Sequence, residues 1–191
     1  MVDENNKVND FKYPYPRQKI FGLFLIGVSI TMALATILGT NQYPNALVFI
    51  IGYIISMVGI MFNKKVRTRF SIGESTPLQE KASKFSLTFI SVIVPIIGMS
   101  LSRTGNYRLI WLLILLAVGI HFIPFTLVHG KLTLMLAILT IINSCIGLYL
   151  FNTSFVVFGI IDAIIKLIIG IVLFKFSPFI INKRNRLNVM Q

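Results

Sequence analysis

The sequence of residues 155–176 is FVVFGIIDAIIKLIIGIVLFKF, in which Asp162, Lys166 and Lys175 are the only charged residues. About 20 consecutive, mostly apolar residues are enough for a helix to cross the roughly 30 Å hydrocarbon core of a bilayer. This stretch therefore predicts a transmembrane helix. The fold class then depends on how many similar stretches the rest of the chain contains.

Five more apolar stretches precede it, at residues 20–39, 45–62, 85–102, 108–125 and 132–151. The whole chain is 55% hydrophobic and only 13% charged, whereas a soluble domain has about a quarter charged residues. We therefore predict an all-α, polytopic transmembrane bundle of six spans in one domain, residues 20–176. The remaining segments are an N-terminal tail (1–19), a basic loop (63–84) and a C-terminal tail (177–191).

Positive charge alternates between the two sides of these predicted spans. Fifteen Lys and Arg residues fall in the two tails, the 63–84 loop and the short connection at Lys131, if Lys175 at the end of the sixth span is counted with the C-terminal tail. Only Arg103 and Arg108 fall in the other connections. Because cytoplasmic segments carry the excess of Lys and Arg, this pattern predicts a cell-membrane protein with both termini in the cytoplasm. An odd number of spans would break this alternation, so the distribution of Lys and Arg supports six spans.

The net charge of +12 does not indicate nucleic-acid binding, because the cations sit beside the spans, where they meet anionic lipid headgroups. The lipid bilayer is thus the predicted partner of the basic loop. The residues expected to contact headgroups are Lys64, Lys65, Arg67 and Arg69.

Local signals predict one helix start and two kinks. Thr76, Pro77 and Gln79 match a capping box with proline at the first helical position, so the third helix is predicted to begin near Pro77. Pro95 is expected to kink that helix, and Pro124 to end or bend the fourth, because an interior proline removes a backbone donor and clashes with the preceding turn.

Small and polar residues at helical spacing predict the faces on which the helices meet, because lipid gives apolar faces no drive to associate. In the third span this face is Thr88, Ser91, Pro95, Gly98 and Ser102, and in the sixth it is Gly159, Asp162, Ala163, Lys166 and Gly170.

Asp162 and Lys166 lie four residues apart inside the sixth span, where a charge costs roughly 2.5–3.5 kcal/mol. Acid before base at this spacing is favourable. Two interpretations stay open: an ion or proton site at a water-filled cavity, or a structural pair that sets helix register. Asn143 is expected about 18 Å from the inner end of a roughly 30 Å core and Asp162 about 11 Å from the outer end. Asn143, Ser144 and Thr140 are therefore predicted to hydrogen-bond Asp162.

His121 is expected about 20 Å from the outer end of the fourth span, nearer the level of Lys166 than of Asp162. Its ring can relay protons or simply be hydrogen-bonded between helices, and both interpretations stay open. His129 is assigned to a loop without a special role. Cys145 is predicted to be a small buried filler.

The segment Val118-Gly119-Ile120-His121-Phe122-Ile123-Pro124-Phe125 resembles a pattern in an uncharacterised family of small bacterial multi-pass membrane proteins. The resemblance covers residues 108–150. It implies a bacterial inner-membrane location, draws attention to His121 and Pro124, and implies no activity.

Transport of a small solute, linked to protons or not, is the predicted function, because charges at mid-membrane depth and interrupted helices are where transporters build sites. The alternative is a non-catalytic accessory subunit, sensor or scaffold. No HExxH or GxSxG motif occurs, so no enzyme is predicted. One cysteine, two histidines and six acids predict no disulfide, metal site or cofactor. A six-span transporter without an internal repeat is expected to form a homo-oligomer or to join an unidentified membrane partner.

Overall fold

The computed structural model describes residues 15–177 of the chain, and all regular secondary structure within them is helical. The all-α class is therefore confirmed. Most of both predicted tails lies outside the described residues. The helices are α1 (Gln18–Ile37), α2 (Ala46–Ser56, continued by a π-helical turn at Met57–Met61), α3 (Lys64–Phe70), α4 (Pro77–Leu101), α5 (Tyr107–His129), α6 (Lys131–Tyr149) and α7 (Phe155–Phe176).

Within residues 15–177, five helices are long and apolar enough to cross a membrane: α1, α4, α5, α6 and α7. The last of these has the bounds expected for the sixth span. The second predicted span is shorter than expected, because Ala46–Met61 bends by 56° into Lys64–Phe70. At 1.5 Å per residue, Ala46–Met61 measures about 24 Å, so a sixth crossing needs both pieces and the span count stays between five and six.

The helices pack in the spatial order α2, α1, α7, α6, α5, α4, with α1 against α7 the most extensive pairing. Glycine permits this close contact: a Cβ built on Gly170 would lie 2.9 Å from the backbone oxygen of Gly22. Such close approach is typical of helix pairs in lipid. The outer helices α2 and α4 do not pack closely together but face each other across a cavity.

The predicted start of α4 is confirmed. The Thr76 hydroxyl accepts from the backbone N of Gln79 at 3.3 Å, and the Gln79 side chain accepts from the Thr76 backbone N at 3.0 Å. Gln79 also donates to the backbone oxygen of Leu127, 3.2 Å away. The cap therefore ties the beginning of α4 to the end of α5.

Neither interior proline ends its helix. Pro95 lies inside α4, and α5 continues five residues past Pro124 to His129, so the expectation that Pro124 ends the helix was wrong. A proline removes only its own backbone donor, and α5 is held on both sides by α4 and α6. Bending at the two prolines stays a prediction. The connection to α6 is a single residue, Gly130, whose φ of +88° favours glycine.

All described Lys and Arg residues of the predicted inner segments lie at one end of the bundle, which we call the basic end. There Gln18 donates to the backbone oxygen of His129 at 2.8 Å, and Ser177 donates to the Gln18 side chain at 3.1 Å. At the opposite end, the Phe155 amide donates to the backbone oxygen of Asn41 at 2.8 Å. The Ser177 and Phe155 bonds link α1 to α7 at both ends, and the bond from Gln18 to His129 links α1 to α5.

One predicted helix face and one predicted buried side chain were wrong. Thr88, Ser91 and Pro95 of α4 are exposed, because α4 buries Gln79, Ala82 and Ser86 instead. Cys145 is exposed on α6, not buried. In lipid an apolar or small side chain suits either surface, so composition alone does not select the packed face.

Arg108, one of the two cations at the opposite end, closes the α6–α7 connection. Its guanidinium donates to the backbone oxygens of Thr153, Gly147 and Leu150 at 2.7, 2.7 and 2.8 Å, and it lies over the Phe158 ring. Gly147 and Leu150 lie at the end of α6, where backbone oxygens lack helical partners and favour a cation. This role accounts for one of the two positive charges at this end.

We expect Arg108→Ala to lower the free energy of unfolding by about 2 kcal/mol, because three hydrogen bonds from a charged donor are lost. Arg108→Lys should recover only part of this, since an ammonium does not reproduce the planar fork of donors. Thermal unfolding of the purified protein in detergent measures the effect. Arg103→Ala is the control, because Arg103 is exposed at the same end and its side chain makes no hydrogen bond or ion pair within residues 15–177. Equal stability of both alanine variants would contradict the assigned role.

Candidate functional site

A central cavity of about 640 Å³ lies between α1, α2, α4 and α5, with α7 behind it. Its walls are mainly apolar and aromatic. The lining residues of α2 and its π-helical turn are Phe49, Tyr53, Met57 and Met61, and those of the facing α4 include Leu87, Ile90, Ser91, Val94 and Pro95. Pockets of about 300–1,000 Å³ with apolar walls and a few polar groups are typical of small-molecule sites.

Asp162 and Lys166 are the α7 residues in the wall of this cavity. They form an ion pair, the only one among residues 15–177, and their exposed fractions are 0% and 3%. Within the described chain the second carboxylate oxygen, Oδ1, has no hydrogen-bond partner. A buried carboxylate with a free acceptor beside a cavity is able to bind a proton or a donor group of a solute.

The predicted hydrogen bonds from α6 to Asp162 are not formed. Asn143 donates instead to the backbone oxygen of Phe158 at 2.9 Å, and Ser144 donates to the backbone oxygen of Thr140 at 2.8 Å. The Thr140 hydroxyl has no partner among the described residues. All three α6 side chains are buried and none lines the central cavity. The expected polar cluster is therefore two separate groups: the ion pair at the cavity, and three buried α6 residues of which Asn143 bonds across the hairpin to α7.

His121 joins the ion pair in the cavity wall, as its predicted depth near Lys166 implied. The two side chains are close enough to interact electrostatically. The ring Nδ1 lies 2.5 Å from the backbone oxygen of Val118 in its own helix, and Ser86 of α4 donates a hydrogen bond to the His121 backbone oxygen. The backbone here is held by α4, while the ring faces the cavity.

His129 was assigned to a loop, and this was wrong. It is the last residue of α5, is 2% exposed, and stacks on the Phe21 ring with centroids 4.0 Å apart. Its Nδ1 has no partner within residues 15–177, and it lines the central cavity. The spacing of His121, Phe125 and His129 at intervals of four could have indicated one helix face, but the expected helix end at Pro124 obscured it.

A second cavity of about 560 Å³, which we call the vestibule, lies at the basic end. It is lined by Lys64, Arg67 and Glu74 among others, and it shares Arg17, Arg67, Ser75 and Glu80 with the central cavity. The two cavities are therefore contiguous. Of the four predicted headgroup contacts, Lys64 and Arg67 line the vestibule, whereas Lys65 and Arg69 lie outside it. Arg17, Arg67 and Glu80 also carry the lining of the central cavity to the basic end.

Within residues 15–177, no three His, Cys, Asp or Glu side chains come together in a way that could hold a metal ion. The described residues offer a ligand proton exchange, hydrogen bonds and apolar contacts.

The sequence model of a family of unknown function, DUF6609, matches residues 8–182. This confirms the expected membership of an uncharacterised family. No curated protein and no solved structure matches the chain.

Proposed function

We propose that this chain, which belongs to the DUF6609 family, is a proton-linked transporter of a small solute. It lies in a bacterial cell membrane with the basic end at the cytoplasm. The clustering of cations at one end of the bundle supports this orientation. The vestibule then opens toward the cytoplasm. In this proposed role the protein catalyses no reaction.

One observation carries the proposal: a cavity contiguous with the basic end reaches titratable groups at mid-bundle depth. Lys166 lies eleven residues into α7, about 16 Å from its beginning, which is close to the middle of the helix. Ionisable residues at such depth, facing a cavity, are typical of ion and proton pathways. The groups proposed to carry the proton are the Asp162 carboxylate, whose Oδ1 has no hydrogen-bond partner within residues 15–177, the Lys166 ammonium and the His121 ring.

The expected coupling follows from these contacts. A proton on Asp162 weakens its attraction for Lys166 and frees the ammonium to interact with the cavity contents. Solute in the cavity and the charge state of the pair therefore affect one another, which is the requirement for linked movement.

Blocking the central cavity tests the proposal. Ser91 is exposed, lines the cavity and lies on the loosely packed face of α4, so Ser91→Trp should fill part of the cavity without disturbing buried contacts. Val92 is equally exposed at nearly the same depth but does not line the cavity, so Val92→Trp is the matched control.

The measurement is proton flux into liposomes that contain the purified protein and a trapped pH-sensitive dye, driven by a potassium diffusion potential. We expect wild type and Val92→Trp to exceed protein-free liposomes several-fold, and Ser91→Trp to lose about nine-tenths of that excess. Wild-type flux equal to that of protein-free liposomes would refute proton movement through the central cavity, and would favour the accessory role.

A further inference from the structure

We infer that the vestibule and the central cavity together bind one amphiphile with a single anionic phosphodiester headgroup. The headgroup lies between Arg17 and Arg67, and a hydrocarbon chain extends into the central cavity. That this amphiphile is the transported solute rests on the proposed function. That it binds here rests only on the residues that line the two cavities.

The vestibule offers cations that have no anionic partner within residues 15–177. Arg17, Lys64 and Arg67 line it, and none of them forms an ion pair within the part of the chain that the structure describes. Arginine binds phosphate with two parallel hydrogen bonds, and this geometry makes it the preferred partner of such groups. Two arginines that line both cavities and form no ion pair with another described residue therefore favour a phosphate there.

The acidic residues of the vestibule limit the charge of the ligand. Glu74 and Glu80 also line it without pairing to its cations. Three cations and two carboxylates leave one net positive charge, which complements a phosphodiester. A phosphomonoester or a nucleoside triphosphate carries more negative charge and would meet repulsion from the two carboxylates.

The central cavity supplies the apolar half of the site. From the shared residues Arg17 and Arg67, the walls continue into Phe24, Tyr53 and Met57, with no further cation until Lys166. Burial of a hydrocarbon chain there is favourable because it keeps the methylene groups of the chain away from water.

A path for such a chain exists beside the cavity. The α2 and α4 helices line opposite walls and do not pack closely together, and both expose large apolar side chains along their length. An amphiphile can therefore enter sideways from the bilayer, with its headgroup moving along the basic end. A free, water-soluble phosphate would not need this opening.

The test is a binding titration with the purified full-length protein in detergent. The probes are a fluorescently labelled single-chain phosphatidylglycerol, which is anionic, and the matching phosphatidylcholine, which is zwitterionic. Arg17→Gln and Arg67→Gln should each weaken the dissociation constant for the anionic probe about tenfold, the usual range for one charge-assisted contact. The phosphatidylcholine probe should bind at least about tenfold more weakly, because its ammonium meets the unpaired cations.

Two variants serve as controls. Lys65→Gln and Arg69→Gln remove charge from the same end outside the vestibule and should stay within about twofold of wild type, since exposed charges that do not contact a ligand contribute little. Equal weakening by all four substitutions would indicate attraction to the basic end in general and would overturn the site. Equal binding of the two probes would do the same.

Glycerol phosphate tests whether the headgroup alone is the ligand. We expect millimolar glycerol phosphate to leave most of the anionic probe bound, whereas displacement at micromolar concentration would overturn the amphiphile in favour of a soluble phosphate. The outcome is separable from transport. Specific binding without proton flux would refute transport and support the binding site. Proton flux without specific binding would refute the amphiphile and support transport.

Discussion

Asp162→Asn should lower the free energy of unfolding by about 3–5 kcal/mol, because it leaves the ammonium of Lys166 buried without its counter-charge. Both side chains are almost fully buried and each is the other's ion-pair partner. The combined variant Asp162→Asn, Lys166→Met removes both charges and should lie within about 2 kcal/mol of wild type, since replacing a whole buried pair is often close to neutral. Unfolding in detergent with increasing sodium dodecyl sulfate measures both.

Lys175→Met is the control for this series, because Lys175 is an exposed lysine on the same helix and should change stability by less than about 0.5 kcal/mol. If Asp162→Asn were as stable as the combined variant, the ion pair would not be the reason for the loss. The same combined variant also decides between the two interpretations of the pair. A folded combined variant without proton flux gives the pair a functional role, whereas unchanged flux leaves it structural.

Gly170→Val should destabilise the protein by at least about 3 kcal/mol, because its new side chain meets the backbone of α1. A Cβ atom added to Gly170 would lie 2.9 Å from the backbone oxygen of Gly22, and one added to Gly22 would lie 2.8 Å from the backbone oxygen of Gly170. Backbone atoms cannot rotate away as side chains do, so α1 and α7 must separate. Since this is the most extensive pairing in the bundle, its loss affects the whole fold.

Gly98→Val is the matched control, because Gly98 also lies within a helix but a carbon added to it meets no atom within 4 Å. Valine has a better helix propensity than glycine, so this variant should be neutral or slightly more stable. The comparison uses apparent melting temperature and the monodisperse fraction after size-exclusion chromatography in detergent. A Gly170→Val protein that melts like Gly98→Val would show that α1 and α7 are not in this close contact.

The proposed proton-linked transport and the proposed amphiphile site share one cavity but depend on different residues. The groups proposed to carry protons are Asp162, Lys166 and His121 at depth, and those proposed to bind the headgroup are Arg17 and Arg67 at the basic end; all five line the cavity. Substitutions at the two depths should therefore have different effects. Those at Asp162, Lys166 and His121 should change proton flux, and those at Arg17 and Arg67 should change affinity for the amphiphile.

Properties that depend on neighbours along the chain were predictable from the sequence. The bounds of α7, the capping box at Thr76 and the all-helical class follow from runs of apolar residues and from hydrogen bonds that span three residues. The separation of charge between the two ends follows equally, because successive helices of a bundle reverse direction.

The tertiary structure alone decided which helix faces meet and which polar groups share a site. It placed Ser91 at the cavity and Cys145 on the surface, directed Asn143 to the Phe158 backbone, and brought His129 against Phe21. The physical reason is that lipid and protein interior are both apolar, so hydrophobic periodicity does not mark the buried side of a helix as it does in water. Which side is buried depends instead on close backbone approach and on hydrogen bonds between residues far apart in the chain.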